Sequence, residues 1–336
     1  MSILGAIKLR AQRRRGHLRA FVHQRTMKVV ADRTNAIKPY GMLLLSTMRN
    51  ERVRLPYFLQ YYRELGVNHF LFVDNDSDDG TREFLAEQDD ASVWTTGASY
   101  KRAHFGVDWL SHLQRRYCHG HWCLTVDVDE FLLYPFCETR PLRALTDWLD
   151  GSGERSFSAM LVDMYPKGPV QARQYREGQN PFEIAQWFDS GNYTIARNHG
   201  LGNLWIQGGP RARMFFADVP LNAPALNKIP LVNWDKSYAY VSSTHMLLPR
   251  GLNRVYDEWG GEKASGCLLH AKFLDTFAVK AAEEMARGQH YADSQEYIAY
   301  QTALARQPDL WCKFSEKYIN WRQLEILGLM SKGDWA

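Results

Sequence analysis

Three short apolar runs in the N-terminal part of the chain stop abruptly in polar clusters, and this limits the fold more than any other feature. "GMLLLST" (41–47) leads into "MRNE", "VNHFLFV" (67–73) into "DNDSDDGT", and "WCLTV" (122–126) into "DVDE". Apolar runs of this length without alternation read as strands buried on both faces of a sheet. Segments of helical period separate them. Leu55, Phe58, Leu59, Tyr62 and Leu65 follow the first, "DDGTREFLAEQ" opens a helix after the second, and Phe105, Trp109, Leu113 and Tyr117 precede the third. A further short strand is expected at Ala91–Thr95. Such alternation needs crossover connections, hence an α/β fold with a mostly parallel sheet flanked by helices.

After Pro141 the pattern changes. "SFSAMLVDMYP" reads as one more strand, 166–240 is rich in Gly, Pro, Asn and Trp, and from Asp275 the chain turns helical again, with Phe277, Val279, Tyr297, Tyr300, Leu304, Leu324 and Leu327 among many charges. The expected organisation is a basic leader over 1–39, a domain over 40–274 and a helical C-terminal region over 275–336. Within the domain, 40–150 forms the first half and the loop-rich 151–274 the second.

Charge settles what the chain avoids. The first 31 residues hold eight Lys or Arg and no acidic residue, whereas the remaining 33 basic residues are outnumbered by 37 acidic ones. No nucleic-acid surface over the main domain is indicated. The leader mixes Ile3, Leu4, Ile7, Leu18, Phe21 and Val22 with its cations, so two readings stay open: a helix in peripheral contact with an anionic membrane, or a solvated, partly disordered segment. No apolar run approaches the roughly 18 residues of a membrane span. Five scattered cysteines (Cys118, Cys123, Cys137, Cys267 and Cys312) show no CxxC spacing, which fits a reducing, cytoplasmic setting, with membrane association on its cytoplasmic face if the leader binds lipid.

In open α/β sheets ligands bind outside the carboxyl ends of the strands, where the three polar clusters fall. Asp127 and Asp129 are two apart. On an extended strand both would face one side, and two close carboxylates repel unless a cation lies between them. Oxygen ligands suit Mg2+ or Mn2+, which also take up substrate phosphate oxygens. A bare DxD can equally cap a turn, but the apolar strand before it and Phe131, Leu132 and Leu133 after it favour a site. "DNDSDDGT" fails the spacing of a calcium loop, and no GxGxxG follows the first strand.

At these residues the chain resembles the family 2 type glycosyltransferases of the GT-A fold, in the bacterial branch with RNE, DNDSDDGT and DVDEF motifs. The likeness is strong over 40–135 and weaker at "GGPRARMFF", "NKIPLV", "SSTHM" and "LLHAKF". It implies a metal-dependent enzyme with a nucleotide-sugar donor and a glycan or lipid-linked acceptor. By the same resemblance Arg49, Asn50 and Glu51 lie beside the nucleotide, Asp74 and Asn75 bind its base or ribose, Asp127 and Asp129 form the DxD, and His270 completes the metal shell, with His245 in competition. Lys228, Arg211 and Arg213 are candidate cations for the leaving diphosphate. Asp163, at the end of "AMLVD", is the candidate base, with Glu183, Asp235 and Glu262 as alternatives, while Trp187, Trp205 and Trp234 are candidate sugar platforms. Competing readings are a nucleotidyltransferase, a nucleotide-sugar hydrolase, or a catalytically silent binding protein of the same fold.

Overall fold

The computed structural model describes residues 2–241, 243–256, 260–287, 300 and 308–335. Its centre is a nine-stranded sheet built from β1 (Lys28–Ala31), β2 (Leu43–Met48), β3 (His69–Asp74), β4 (Ala91–Thr95), β5 (Trp122–Thr125), β6 (Glu130–Leu133), β7 (Ser156–Asp163), β11 (Asn227–Asn233) and β14 (Ser265–His270). The order across the sheet is β1-β4-β3-β2-β5-β11-β7-β14-β6. β4, β3, β2 and β5 are mutually parallel, as are β7 and β14. β11 runs antiparallel to both β5 and β7 and joins the two groups in one direction, so six of nine strands open their carboxyl ends on one mouth. β1 and β6 are antiparallel edges.

The remaining strands pair outside this sheet: β8 (Trp187–Asp189) with β15 (Ser315–Lys317), β9 (Tyr193–Asn198) with β10 (Asn203–Gly208), and β12 (Ala239–Tyr240) with β13 (Leu247–Leu248). Helices cover both faces. α2 (Leu55–Glu64) buries Leu55, Phe58, Leu59 and Tyr62, and its Pro56 falls in the first turn, where a missing N–H costs nothing. With α3 (Thr81–Ala86) and α5 (Leu142–Gly151) it covers one face, and α4 (Val107–Tyr117) covers the other with Trp109 and Leu113. Tyr62 donates to the Glu130 carbonyl at 2.8 Å and Tyr61 to the Leu132 carbonyl at 2.6 Å, so α2 also closes part of the β6 edge.

The basic leader enters the fold itself. Residues 3–23 form helix α1 (Ile3–His23), whose Gly16 and Ala20 are buried against the body, and Lys28–Ala31 is a strand of the main sheet. The leader is therefore ordered, not partly disordered, although most of its surface stays exposed to solvent. Asp108 of α4 contributes to the ordering: its carboxylate lies 3.3 Å from Arg19 Nε and 2.8 Å from His23 Nδ1.

α6 (Gly209–Phe215) and α7 (Thr276–Arg287) lie in the second half. The C-terminal region is helical at α7 and at Trp321–Ile326, but it also returns to the body: Trp321 and Trp335 are buried in the main core and Ser331 bridges Ser265. Tyr297 and Leu304 lie outside the described residues. No described helix is long and apolar enough to cross a membrane.

Candidate functional site

The mouth is built from the ends of β2, β3, β5, β7 and β14. β7 and β14 are in parallel register with Asp163 opposite His270, and β14 pairs with β6 so that His270 also faces Glu130. Three ladder-fixed positions thus meet at one point. His270 Nδ1 lies 2.6 Å from Asp163, its Nε2 lies 3.3 Å from Asp129, and Asp163 accepts from Arg211 Nε at 2.7 Å. The result is a chain Arg211–Asp163–His270–Asp129, with the Arg211 and Asp163 side chains almost wholly buried.

The electrostatics follow from this order. Burial alone would push His270 down, but the Asp129 and Asp163 carboxylates outweigh it and raise its pKa to about 9. Burial opposes ionisation of Asp163, yet Arg211 and His270 hold its carboxyl at about 2. Asp129 is likewise held well below the carboxylate range, because His270 and Arg54 overcome its burial. Both Asp163 oxygens are committed, Oδ1 to His270 and Oδ2 to Arg211. The Asp163 carboxylate thereby fixes the orientation of the His270 ring.

The DVD stretch is not an extended strand. β5 stops at Thr125, residues 128 and 129 lie in a turn, and Glu130 N donates back to the Asp127 carbonyl at 3.0 Å. Asp127 consequently takes its own partner, Lys228 Nζ at 3.2 Å, while its side chain stays 57% exposed to the mouth. Lys228 also reaches Glu130 at 2.8 Å. Glu130 is 1% exposed, and burial lifts its pKa to about 7 against the pull of Lys228.

The second cluster joins the ends of β2 and β3. Asn50 N donates to Ser77 Oγ at 2.9 Å, Asn50 Oδ1 accepts from Asp78 N at 3.0 Å, and Arg49 Nη1 donates to the Asn75 carbonyl at 3.0 Å. Asp74 is fully buried, accepting from Ser77 N and from Thr95 Oγ1, so it shapes the loop from below. α7 lies over this cluster. Glu283 accepts from Arg49 at 2.7 Å and from Asn50 at 3.0 Å, Lys280 pairs with Glu51, and Arg287 donates to Asn75 Oδ1 at 2.9 Å.

Other expected residues fall elsewhere. His245 is held by the Asn227 carbonyl at 2.6 Å, and burial beside Lys228 pushes it down to about 4, so it is a satisfied neutral histidine. Arg213 pairs with Asp189 at 2.7 Å, Glu183 is exposed and accepts from Gln179, and Asp235 caps a turn through Ser237 N at 2.7 Å. Asp235 and Glu262 lie beyond the end of β11 and before the start of β14, at the pole opposite the mouth. Trp234 is core beside Tyr240, Trp187 packs on Trp311, and Trp205 is tilted over His245. Sequence reasoning did not single out Arg54, Glu130, Lys280 or Glu283 for the site. Glu130 stood inside the quoted "DVDE", whereas the α7 residues carried no local signal.

Asp129 and His270 offer a carboxylate oxygen and an imidazole nitrogen with the second ring nitrogen already locked, a donor set that fits a divalent cation. Among the described residues no three His, Cys, Asp or Glu side chains are grouped to hold a metal unaided.

No protein-family model matches the chain. Over 110 residues, 30% of its length, it is 26% identical to a glycosyltransferase family 92 protein of Oryza sativa subsp. japonica. The relative found by sequence is a glycosyltransferase. The chain spans only 18% of that protein's length. Among solved structures, a mannosyltransferase from Pyrobaculum calidifontis in complex with GDP-Man and Mn2+ is similar over 46% of both chains, with 19% identity and a TM-score of 0.28. UDP-glucose pyrophosphorylase from Acinetobacter baumanii is similar over 80% of this chain and 84% of its own, with 9% identity and a TM-score of 0.25. Both structural likenesses are distant.

Proposed function

We propose that this chain is a metal-dependent glycosyltransferase of the GT-A type that transfers a sugar from a nucleotide-activated donor to a hydroxyl acceptor. The observation that carries the reading is the Asp129–His270–Asp163 arrangement at the strand ends, beside a solvent-facing Asp127 and next to the Arg49–Asn75 cluster. The partial likeness to a plant glycosyltransferase supports it. Asp129 and His270 would hold Mn2+ or Mg2+. When bound, such a cation stabilises the negative charge that develops on a departing diphosphate.

The chain's own residues prepare that chemistry. Asp163 accepts the Nδ1 proton of His270 and leaves Nε2 toward Asp129, and Arg211 keeps Asp163 ionised and in place. Lys228 adds a buried positive charge beside Asp127. Arg49 supplies a guanidinium at the end of β2, where a phosphate or ribose would replace Glu283. Asp163 serves as a positioning carboxylate in this scheme, not as the base that accepts the acceptor's proton.

The test is thermal shift with nucleoside diphosphates in Mn2+ and in chelator, for the wild type and for Asp129→Asn. A ligand that binds only the folded state raises the melting temperature. The wild type should be stabilised only with the cation present, and Asp129→Asn in neither condition. Equal stabilisation of the wild type by every nucleotide in chelator would defeat the reading.

A further inference from the structure

α1 is attached to the body by one face only. Gly16 and Ala20 are buried, His17 lies 3.2 Å from the Ser237 carbonyl, and Arg19 and His23 reach Asp108. At about 100° of rotation per residue, these five positions share one side of the helix. On the opposite side, Ile3, Leu4, Ile7, Leu18, Phe21 and Val22 fall within an arc of about 100°. They are 82, 78, 54, 64, 56 and 50% exposed, so folding leaves the whole stripe in water.

Arg14 lies inside this arc and Lys8, Arg10 and Arg15 flank it, all of them exposed. No acidic residue occurs before Asp32. The 21-residue helix is about 31 Å long, with apolar residues at both ends and cations between them. Exposed apolar clusters aligned on one helix face mark an interaction site, and the cations between and beside them select an anionic partner. A convex helix face with long cationic side chains that can extend away from buried apolar neighbours matches a bilayer interface, where the stripe enters the acyl boundary and the arginines meet headgroups.

We propose that α1 is a preordered interfacial anchor that seats the protein on an anionic lipid bilayer. Because Asp108 holds the helix before any lipid is met, binding requires no coil-to-helix transition. The geometry also orients the molecule. Asp108 lies in the first turn of α4, and Gly106 just before it packs against Thr47 at the end of β2, so the Phe21–Val22 end of the stripe lies toward the mouth.

The experiment is co-sedimentation of the full chain with phosphatidylcholine vesicles that contain or lack phosphatidylglycerol. Two double variants are compared, Leu18→Glu with Phe21→Glu and Arg14→Glu with Arg15→Glu. All four positions are exposed, so unchanged melting temperatures verify folding. The wild type should bind the anionic vesicles, each double variant should lower partitioning about tenfold or more, and added salt should weaken the wild type. Binding that is equal with and without phosphatidylglycerol, or equal between wild type and variants, overturns the proposal. So does a lipid-free dimer that the Leu18→Glu, Phe21→Glu variant dissolves, which would assign the stripe to a second copy of the chain.

Discussion

Raising the pH should withdraw a stabilising charge from the centre of the site. In the protein without a cation, His270 stands between Asp163 and Asp129 at 2.6 and 3.3 Å, and its pKa rises from 6.5 to about 9. In the unfolded chain the group returns to about 6.5. A folded value above the unfolded one means that the contribution is complete below pH about 6.5 and is lost as the pH climbs through about 9. A pKa difference of about 2.5, at about 1.36 kcal/mol for each, gives about 3 kcal/mol. Urea unfolding in chelator at both ends of this window measures it. His270→Gln keeps hydrogen-bonding capacity but carries no proton to lose, so the stability gap between wild type and variant should shrink by about 3 kcal/mol on the alkaline side. Parallel loss of stability in both proteins would refute the argument. The same proton competes with a divalent ion, so Mn2+ affinity in the presence of nucleoside diphosphate should rise about tenfold per pH unit below 9.

Three further outcomes are expected. Lys228→Met should cost about 1–3 kcal/mol in urea unfolding because it leaves buried Glu130 without its partner and forces it to take up a proton, and pairing it with Glu130→Leu should recover most of the loss; no recovery would mean that the two do not act as a pair. Glu283→Gln should tighten nucleoside diphosphate binding several-fold by calorimetry, since a part-buried ion pair worth about 1 kcal/mol no longer competes for Arg49; an unchanged dissociation constant would remove Arg49 from the binding surface. Gly106→Ala should lower the melting temperature more than Gly120→Ala. Both have positive φ, +78° and +80°, but only at Gly106 would a Cβ come within 2.9 Å of Thr47.

The first half of the fold was legible because its strands are continuous apolar runs: β2 and β3 are buried throughout apart from Thr47, which is half-buried, and α2 and α4 display their buried residues at helical spacing. The site was legible where it lies at those strand ends. It was not legible where partners come from afar. Asp163 and His270 are 107 residues apart, and Lys228 and Asp127 are 101 apart, so nothing local reveals that one carboxylate is locked and the other turned aside. The period-two argument assumed an extended strand at Asp127 and Asp129, where the chain instead turns. The leader misled for a related reason: the contacts of Arg19 and His23 that help to order it reach Asp108, 89 and 85 residues further along the chain.

The antiparallel strand β11 has a consequence for how the chain is made. The five strands from β1 to β5 are complete once residue 125 has been synthesised, but β5's neighbour on its open side is β11, Asn227–Asn233. A nascent chain that has left the ribosome only as far as β7 therefore carries an unpaired, fully buried-type edge at Trp122–Thr125, a template for pairing with another chain. Products truncated before Asn227 should collect in the insoluble fraction, whereas those extending past Asn233 can close the gap. In a cell, the interval during which a chaperone is needed would thus be set by translation of the hundred or so residues between the two strands.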